Sequence, residues 1–497
     1  MTTRSLLLVQ FVLVSAPLGL WAAQPEPSDA HGFRTRGQDW QKKGESDKAR
    51  ADFTRAIELE PEDAWAYAAR GGVWFDTKQY DKAIDDFTRA LRLEPKNANT
   101  YYNRGLSYLR KEDDDKAEQD FTKAIELKPD FAAAFNDRGL TWFHKKEYPK
   151  ALDDYGVALR LDPKFAYPLV NRGNVWLHNK DYDKAIADYT GAIDLNPGLF
   201  AAHLGRGEAR TGQRDYDKGV VDITTAIRLN PTNPRSHSSR AFALFWKQEY
   251  EKALADCDES IRLDPRHVPG YYTRGIVRYR KKEHDAAIAD FSEAIRHDPQ
   301  NVESYFERAK SWDTKREYGK ALADYTDTIR LNPTHVDAYN LRAWLRATCD
   351  RVVFRIGALA VEDARRACEL SEWKNPDHLD TLAAAHAQKG EFAEAIRWEQ
   401  KALEDPTYSK SPGGESARAR LRLYESGWSY INLRPQTDVE VPDPPVQPWW
   451  QRGLYVTIGS IGVGVVMLGC GLVAYRLRRG RPAKAMNRRW REEEFDE

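Results

Sequence analysis

Residues 80–95 read YDKAIDDFTRALRLEP, and the phrase returns as YDKAIADYTGAIDLNP ending at Pro197, YEKALADCDESIRLDP ending at Pro265 and YGKALADYTDTIRLNP ending at Pro333. The closing prolines, Pro61, Pro95, Pro129, Pro163, Pro197, Pro231, Pro265, Pro299 and Pro333, stand 34 residues apart without a slip. A fixed period of this size marks a solenoid, in which each unit covers the open face of its neighbour. Taking Ala64 as a first residue, one unit holds two amphipathic stretches, Trp65–Thr77 and Tyr80–Leu93, with apolar residues recurring every three or four positions. Pro95 stops the second helix and turns the chain into the next unit. The unit is a helical hairpin. Gly71 and Ala83 are small where its helices cross, and Tyr67, Trp74 and Phe87 fill the space on either side.

A small residue at the eighth position, an aromatic near the eleventh, alanines at the twentieth and twenty-seventh and a closing proline make the chain resemble the tetratricopeptide repeat family. Nine units run 30–63, 64–97, 98–131, 132–165, 166–199, 200–233, 234–267, 268–301 and 302–335, above the roughly three that such a stack needs. The resemblance implies an all-α solenoid, a right-handed superhelix of helical hairpins, whose first helices line a concave groove that holds other polypeptides.

One feature exceeds the family signature. The seventh position is Arg in every unit, including Arg70, Arg104 and Arg138, and the twenty-third is Asp, including Asp86, Asp120 and Asp154. A half-buried guanidinium needs a carboxylate, and its planar fork suits a two-pronged contact. The pairing predicts a structural ladder of salt bridges between helices rather than a row of phosphate-binding arginines.

Family geometry places the second, fifth, ninth, twelfth and thirteenth positions in the groove. These are Tyr102, Leu106, Leu109 and Arg110, then Leu140, Phe143 and His144, then Tyr167, Asn174, Leu177 and His178, then Phe242, Phe245 and Trp246, then Tyr272, Tyr279 and Arg280. Tyr, Trp and Arg often carry binding energy in protein interfaces. The competing reading is that several merely pack neighbouring first helices together, with the thirteenth position the better candidate for contact. Some members of the family grip a partner's C-terminal carboxylate through Lys at the fifth and Asn at the ninth position. Here Tyr102 with Leu106, Val170 with Asn174 and Phe306 with Lys310 depart from that pattern, so partner choice is expected to rest on apolar anchors. In unit 200–233, Arg210 replaces an aromatic and Gly219 an alanine, which predicts a soft joint.

After Pro333 the period fails. AWLRATC, ACELSEW and LDTLAAAHAQKGEFAEAI, within 343–396, resemble a C-terminal module of exported or membrane-anchored bacterial tetratricopeptide proteins. Two irregular units over 336–407 and a capping helix over 413–427 are expected. Cys349 and Cys368 fall in the antiparallel helices of the first, where a disulfide and two small buried side chains both remain open.

The chain ends carry their own signals. Arg4 precedes an apolar run to Ala23, which reads as a signal peptide over 1–23, with an uncleaved anchor as the alternative. Residues 434–448 hold five prolines, an extended spacer. GLYVTIGSIGVGVVMLGCGLVAY, 453–475, has no charge in 23 positions, against about 20 residues needed to span a bilayer. The basic tail 476–497 follows, so the span predicts a single-pass membrane protein with an exported repeat domain and a cytoplasmic tail.

Composition narrows the chemistry. Equal numbers of basic and acidic residues, 76 each, give no reason to expect nucleic acid as a partner. No HExxH, CxxC, phosphate loop or nucleophile motif appears, and the paired histidines, His144 with His178 and His203 with His237, lack a third ligand. No cofactor, metal or catalytic residue is expected. The reading is a membrane-anchored scaffold binding proteins or peptides in its groove. A receptor-like regulator signalling to its tail and a structural spacer in an envelope assembly are the alternatives, with the oligomeric state open.

Overall fold

The computed structural model describes residues 27–431. The signal peptide, the proline-rich spacer, the 453–475 span and the basic tail lie outside the described residues. Among the described residues no helix is long and apolar enough to cross a membrane. The described chain is all α-helix apart from turns and one 3-10 segment, and it divides into two compact units, one up to Glu147 and one from Tyr148.

Each repeat contributes a first helix of 13 residues and a second of 14, as in Ala64–Asp76 and Tyr80–Leu93. The first helix often starts on a side chain that caps it: Asp63 accepts from the Ala66 N–H at 3.1 Å and Asn97 from the Thr100 N–H at 3.1 Å. The second ends two residues before the closing proline, which has no N–H to continue it. Gly71 sits where the two helices cross, and a Cβ there would lie 2.8 Å from the Phe87 ring. The small residue is set by that approach.

The turn between the helices is tight and needs one left-handed residue. In the first repeat this is Gly44, but in the next eight it is Lys78, Glu112, Lys146, Lys180, Arg214, Gln248, Lys282 and Arg316, all with φ of 59° to 68°. A side chain in that region costs about 1–2 kcal/mol. Packing on both sides holds the turn nonetheless.

In unit 200–233, where a soft joint is expected, the two helices lie in close contact. A Cβ at Gly219 would lie 2.5 Å from Thr211 Oγ1, and one at Gly207 2.5 Å from Ile223 Cγ1. Both glycines permit an unusually close crossing. Arg210, in place of the aromatic, donates to Asp222 Oδ2 at 2.7 Å.

Beyond Pro333 the helices are Val336–Thr348, Gly357–Leu370, Pro376–Lys389, Phe392–Leu403 and Pro406–Ser409, closed by Pro412–Glu425. Arg342 still finds its aspartate, Asp363, at 2.9 and 2.6 Å, but across 21 residues rather than 16. The insertion is thus five residues, and it emerges as the 3-10 turn Val352–Phe354. Cys349 and Cys368 carry free thiols, each buried in a separate apolar cluster. The disulfide is not formed, and burial raises both thiols above their ordinary pKa, Cys368 to about 12.

Candidate functional site: the face of the first helices

The seventh-position arginines make the fork expected of them. In the first unit Arg70 binds Asp86 through two bonds of 2.8 Å, and Arg104 binds Asp120 at 2.7 and 2.8 Å. In the second, Arg172, Arg206, Arg240, Arg274 and Arg308 repeat the pairing with Asp188, Asp222, Asp256, Asp290 and Asp324. Arg138 lies in the first unit and Asp154 in the second.

Sequence reading missed the third prong. The remaining nitrogen reaches back to the twenty-fifth position of the preceding repeat: Arg70 to Thr54 at 3.1 Å, Arg104 to Thr88 at 3.1 Å, Arg138 to Thr122 at 3.3 Å and Arg308 to Ser292 at 3.0 Å. Arg70, Arg104 and Arg308 therefore each tie the second helices of two consecutive repeats. The signal was the recurring hydroxyl at that position. Where Arg172 would find it, the chain has Gly156, and a Cβ there would meet only Arg160 Nη1, at 3.6 Å. Gly156→Thr is expected to supply the missing acceptor and a better helix former, raising stability by about 1 kcal/mol. An unchanged or lower melting temperature would contradict this.

A second ladder runs along the turn edge, from the fourteenth position back to the eighteenth of the preceding repeat. Lys145 bonds Asp115 at 2.7 Å, Gln213 bonds Asp183 at 2.6 Å, Lys247 bonds Asp217 at 2.7 Å and Lys281 bonds Glu251 at 2.9 Å. Lys111 with Asp81 and Lys315 with Asp285 continue it. These pairs are more exposed, and each contributes little alone.

The expected groove residues divide. Phe143, Phe242 and Phe245 are only 7, 1 and 4 % exposed, so none can be a first contact for a partner. The reason is how closely the first helices pack: in Pro234–Trp246 only Arg240 and Trp246 escape burial. Tyr102 is half-buried and donates its hydroxyl to Asp137 at 2.6 Å. The thirteenth position, expected to face a partner, mostly meets the seventeenth of the preceding repeat. His144 Nδ1 lies 2.9 Å from Asp114 Oδ1, the His178 ring 4.7 Å from Tyr148, and Trp246 stacks on Tyr216 at 6.1 Å. Arg110 is exposed, and Tyr279 and Arg280 are half-buried. His203 and His237 each hold a carbonyl, of Pro197 at 3.0 Å and Pro231 at 3.1 Å.

What the first-helix face offers instead is a notch of about 30 Å³ in the second unit. Tyr167, Asn171, Asn174, Ala201, Leu204 and Arg235 are among its lining residues. Tyr167 and Asn174 were legible as groove positions; the polar floor was not. Arg235 forks onto the fully buried Glu208 at 2.9 and 2.6 Å, and Ser239 donates to the same carboxylate at 2.8 Å. Beside it Ser238 Oγ lies 2.9 Å from His267 Nε2, and burial, with the Arg235 charge, holds that imidazole down to about 3, hence neutral. Polar residues at the second and fifth positions of one repeat and the ninth of the repeat before it, Arg235, Ser238 and Glu208, were the available signal.

Models of this repeat match residues 71–112, 98–131, 166–199, 272–336 and 377–405, four under the description tetratricopeptide repeat and one as TPR repeat. The chain is a tetratricopeptide repeat protein. Its period and the hairpins of both units agree with that family, and the last match extends the tetratricopeptide repeat into the irregular region. No curated protein matches the chain. Among solved structures, a tetratricopeptide repeat protein from Parabacteroides merdae is 20 % identical, covers 50 % of this chain and 98 % of its own, and gives a TM-score of 0.43. Yeast Tom70 is 17 % identical, covering 80 % and 95 %, with a TM-score of 0.38. Cut9 in the APC/C hetero-tetramer Cut9–Hcn1 is 13 % identical, covering 80 % and 90 %, with a TM-score of 0.46.

Proposed function

We propose that this tetratricopeptide repeat protein is a non-catalytic scaffold that binds partner polypeptides on the face of its first helices. What supports the reading is the notch beside Tyr167, Asn171, Asn174 and Ala201, where apolar walls and polar side chains meet on that face. Apolar walls supply burial and a few polar groups fix orientation, as in larger binding recesses, and a notch of about 30 Å³ admits the tip of a side chain. The repeat domain is exported, anchored by 453–475 and followed by a cytoplasmic tail; the uncharged run and the basic residues after it support this.

The test captures partners crosslinked to the full chain in membranes. Ala201→Arg fills the notch, breaks no hydrogen bond and suits a helix. Exported partners are expected to fall about tenfold in the capture while circular dichroism stays unchanged, an energy of about 1.4 kcal/mol. Undiminished capture would place binding elsewhere on the molecule.

A further inference from the structure

The insertion that breaks the repeat period presents apolar side chains to solvent. Val352 and Val353 are 70 and 75 % exposed, and Ile356 and Leu359, which follow at once, are 45 and 38 % exposed. Exposed apolar residues in the regular repeats are of another kind: Trp65 and Val221, and the leucines Leu59, Leu161, Leu195 and Leu229 at the thirtieth position of their units, are scattered. Scattered leucines of that sort need no explanation, whereas four apolar side chains within eight residues form a patch.

The loop is built to hold the patch outward. Phe354 turns in, its ring 6.1 Å from that of Tyr318, while the two valines before it stay out. The Phe354 N–H donates to the Arg351 carbonyl at 3.1 Å, the Ile356 N–H to the Arg346 carbonyl at 3.1 Å, and the Cys349 thiol to the Arg351 carbonyl at 3.4 Å. Arg316 fastens the same turn by donating to Asp350 at 3.0 Å. Two arginines border the valines. Arg351 is exposed, with its guanidinium 6.0 Å from the centre of the Tyr318 ring, and Arg355 is half-buried on the other side. An apolar tip with a cationic border matches the interfacial layer of a bilayer, where acyl chains meet anionic headgroups.

We propose that loop 351–359 is a membrane-contact site, with Val352, Val353, Ile356 and Leu359 entering the bilayer interface and Arg351 meeting headgroup phosphates. The proposal rests on the reading of 453–475 as a membrane span. The described solenoid ends at Ile431, and 21 residues, 432–452, separate it from that span. As an extended proline-rich chain they reach at most about 65 Å. A patch this small would not hold a free protein on a membrane, but a tether of that length keeps it at millimolar effective concentration, where a weak contact suffices. The loop would then fix how the repeat domain stands on the bilayer.

The full chain is reconstituted into vesicles of phosphatidylcholine and phosphatidylglycerol carrying a trace of phospholipid with a photoreactive acyl chain, and lipid adducts are mapped by mass spectrometry. Adducts are expected in both 351–359 and 453–475, and none around Val221, which is 64 % exposed in a regular repeat. The Val352→Asp, Val353→Asp variant changes two solvent-facing side chains, so folding survives; it should lose about tenfold of the loop adduct and keep that of the span. Adducts in the span alone overturn the proposal and leave anchoring intact. Adducts in neither remove the anchoring reading and this inference with it. A protein adduct at 351–359 in native membranes, with no lipid adduct there, makes the loop a docking site for a protein and overturns the proposal equally.

Discussion

Arg104→Leu is expected to destabilise the first unit by about 3 kcal/mol. The substitution removes both bonds to Asp120 and the bond to Thr88, and it strands a carboxylate that is 5 % exposed. A buried anion without its partner is far costlier than the pair is favourable. The double variant Arg104→Leu, Asp120→Leu should therefore recover most of the loss, since two apolar side chains then meet in the same space. Long repeat arrays do not unfold in one step, so amide exchange in Ala98–Arg110 and Asp114–Leu127 is a better readout than a single melting temperature. If the double variant is as unstable as the single, the ladder holds the repeats through its own attraction and the desolvation argument fails.

Glu399→Gln is expected to act in the opposite direction. Glu399 is 0 % exposed on the helix Phe392–Leu403, beside the buried fork that Arg420 of the closing helix makes with Asp380, at 2.9 and 2.7 Å. Burial, reinforced by the Asp380 charge and only partly offset by Arg420, pushes the Glu399 carboxyl up to about 10. At neutral pH the folded protein keeps this proton and the unfolded chain, near its ordinary 4.5, releases it. Stability is therefore lost as pH rises through the unfolded value. From there to pH 7 the loss is about 3 kcal/mol at most. The carboxamide carries no such linkage. The variant should melt higher than wild type at pH 7 and no higher at pH 4, and equal gains at both would assign the effect to packing instead.

The architecture was legible because its causes repeat. Nine prolines at one spacing, a glycine or alanine at each crossing and an Arg–Asp pair in each unit leave little freedom for the hairpin. Boundaries held to about one residue, as in Ala64–Asp76 against an expected Trp65–Thr77. The candidate site was less legible. A sequence position names a face of a helix, but whether Phe242 or Phe245 reaches solvent depends on how closely the neighbouring first helices approach, and no single repeat encodes that distance. Gly219 shows the same ambiguity: glycine reads equally as a weak point or as room for a close neighbour, and only the fold shows that Thr211 is such a neighbour. The Glu208–Arg235 fork was hidden for a different reason, since its partners lie at unrelated positions of two repeats. Free thiols at Cys349 and Cys368 follow from their places at the C-terminal ends of two antiparallel helices, which put them at opposite ends of the hairpin.

The bonds of the two ladders point one way along the chain. The twenty-fifth-position hydroxyls and eighteenth-position carboxylates are acceptors, and the donors that reach them, such as Arg104 to Thr88 and Lys281 to Glu251, belong to the repeat that follows. A polypeptide emerges amino end first, from the ribosome and from a translocation channel alike. Each newly delivered hairpin thus arrives bearing the cations for anchorages already in place. The unfinished edge shows hydroxyls and carboxylates, which water satisfies without strain, and never waits with a half-buried guanidinium lacking its outer partner. Assembly of the array is in this sense directional, with each repeat serving as the landing for the next.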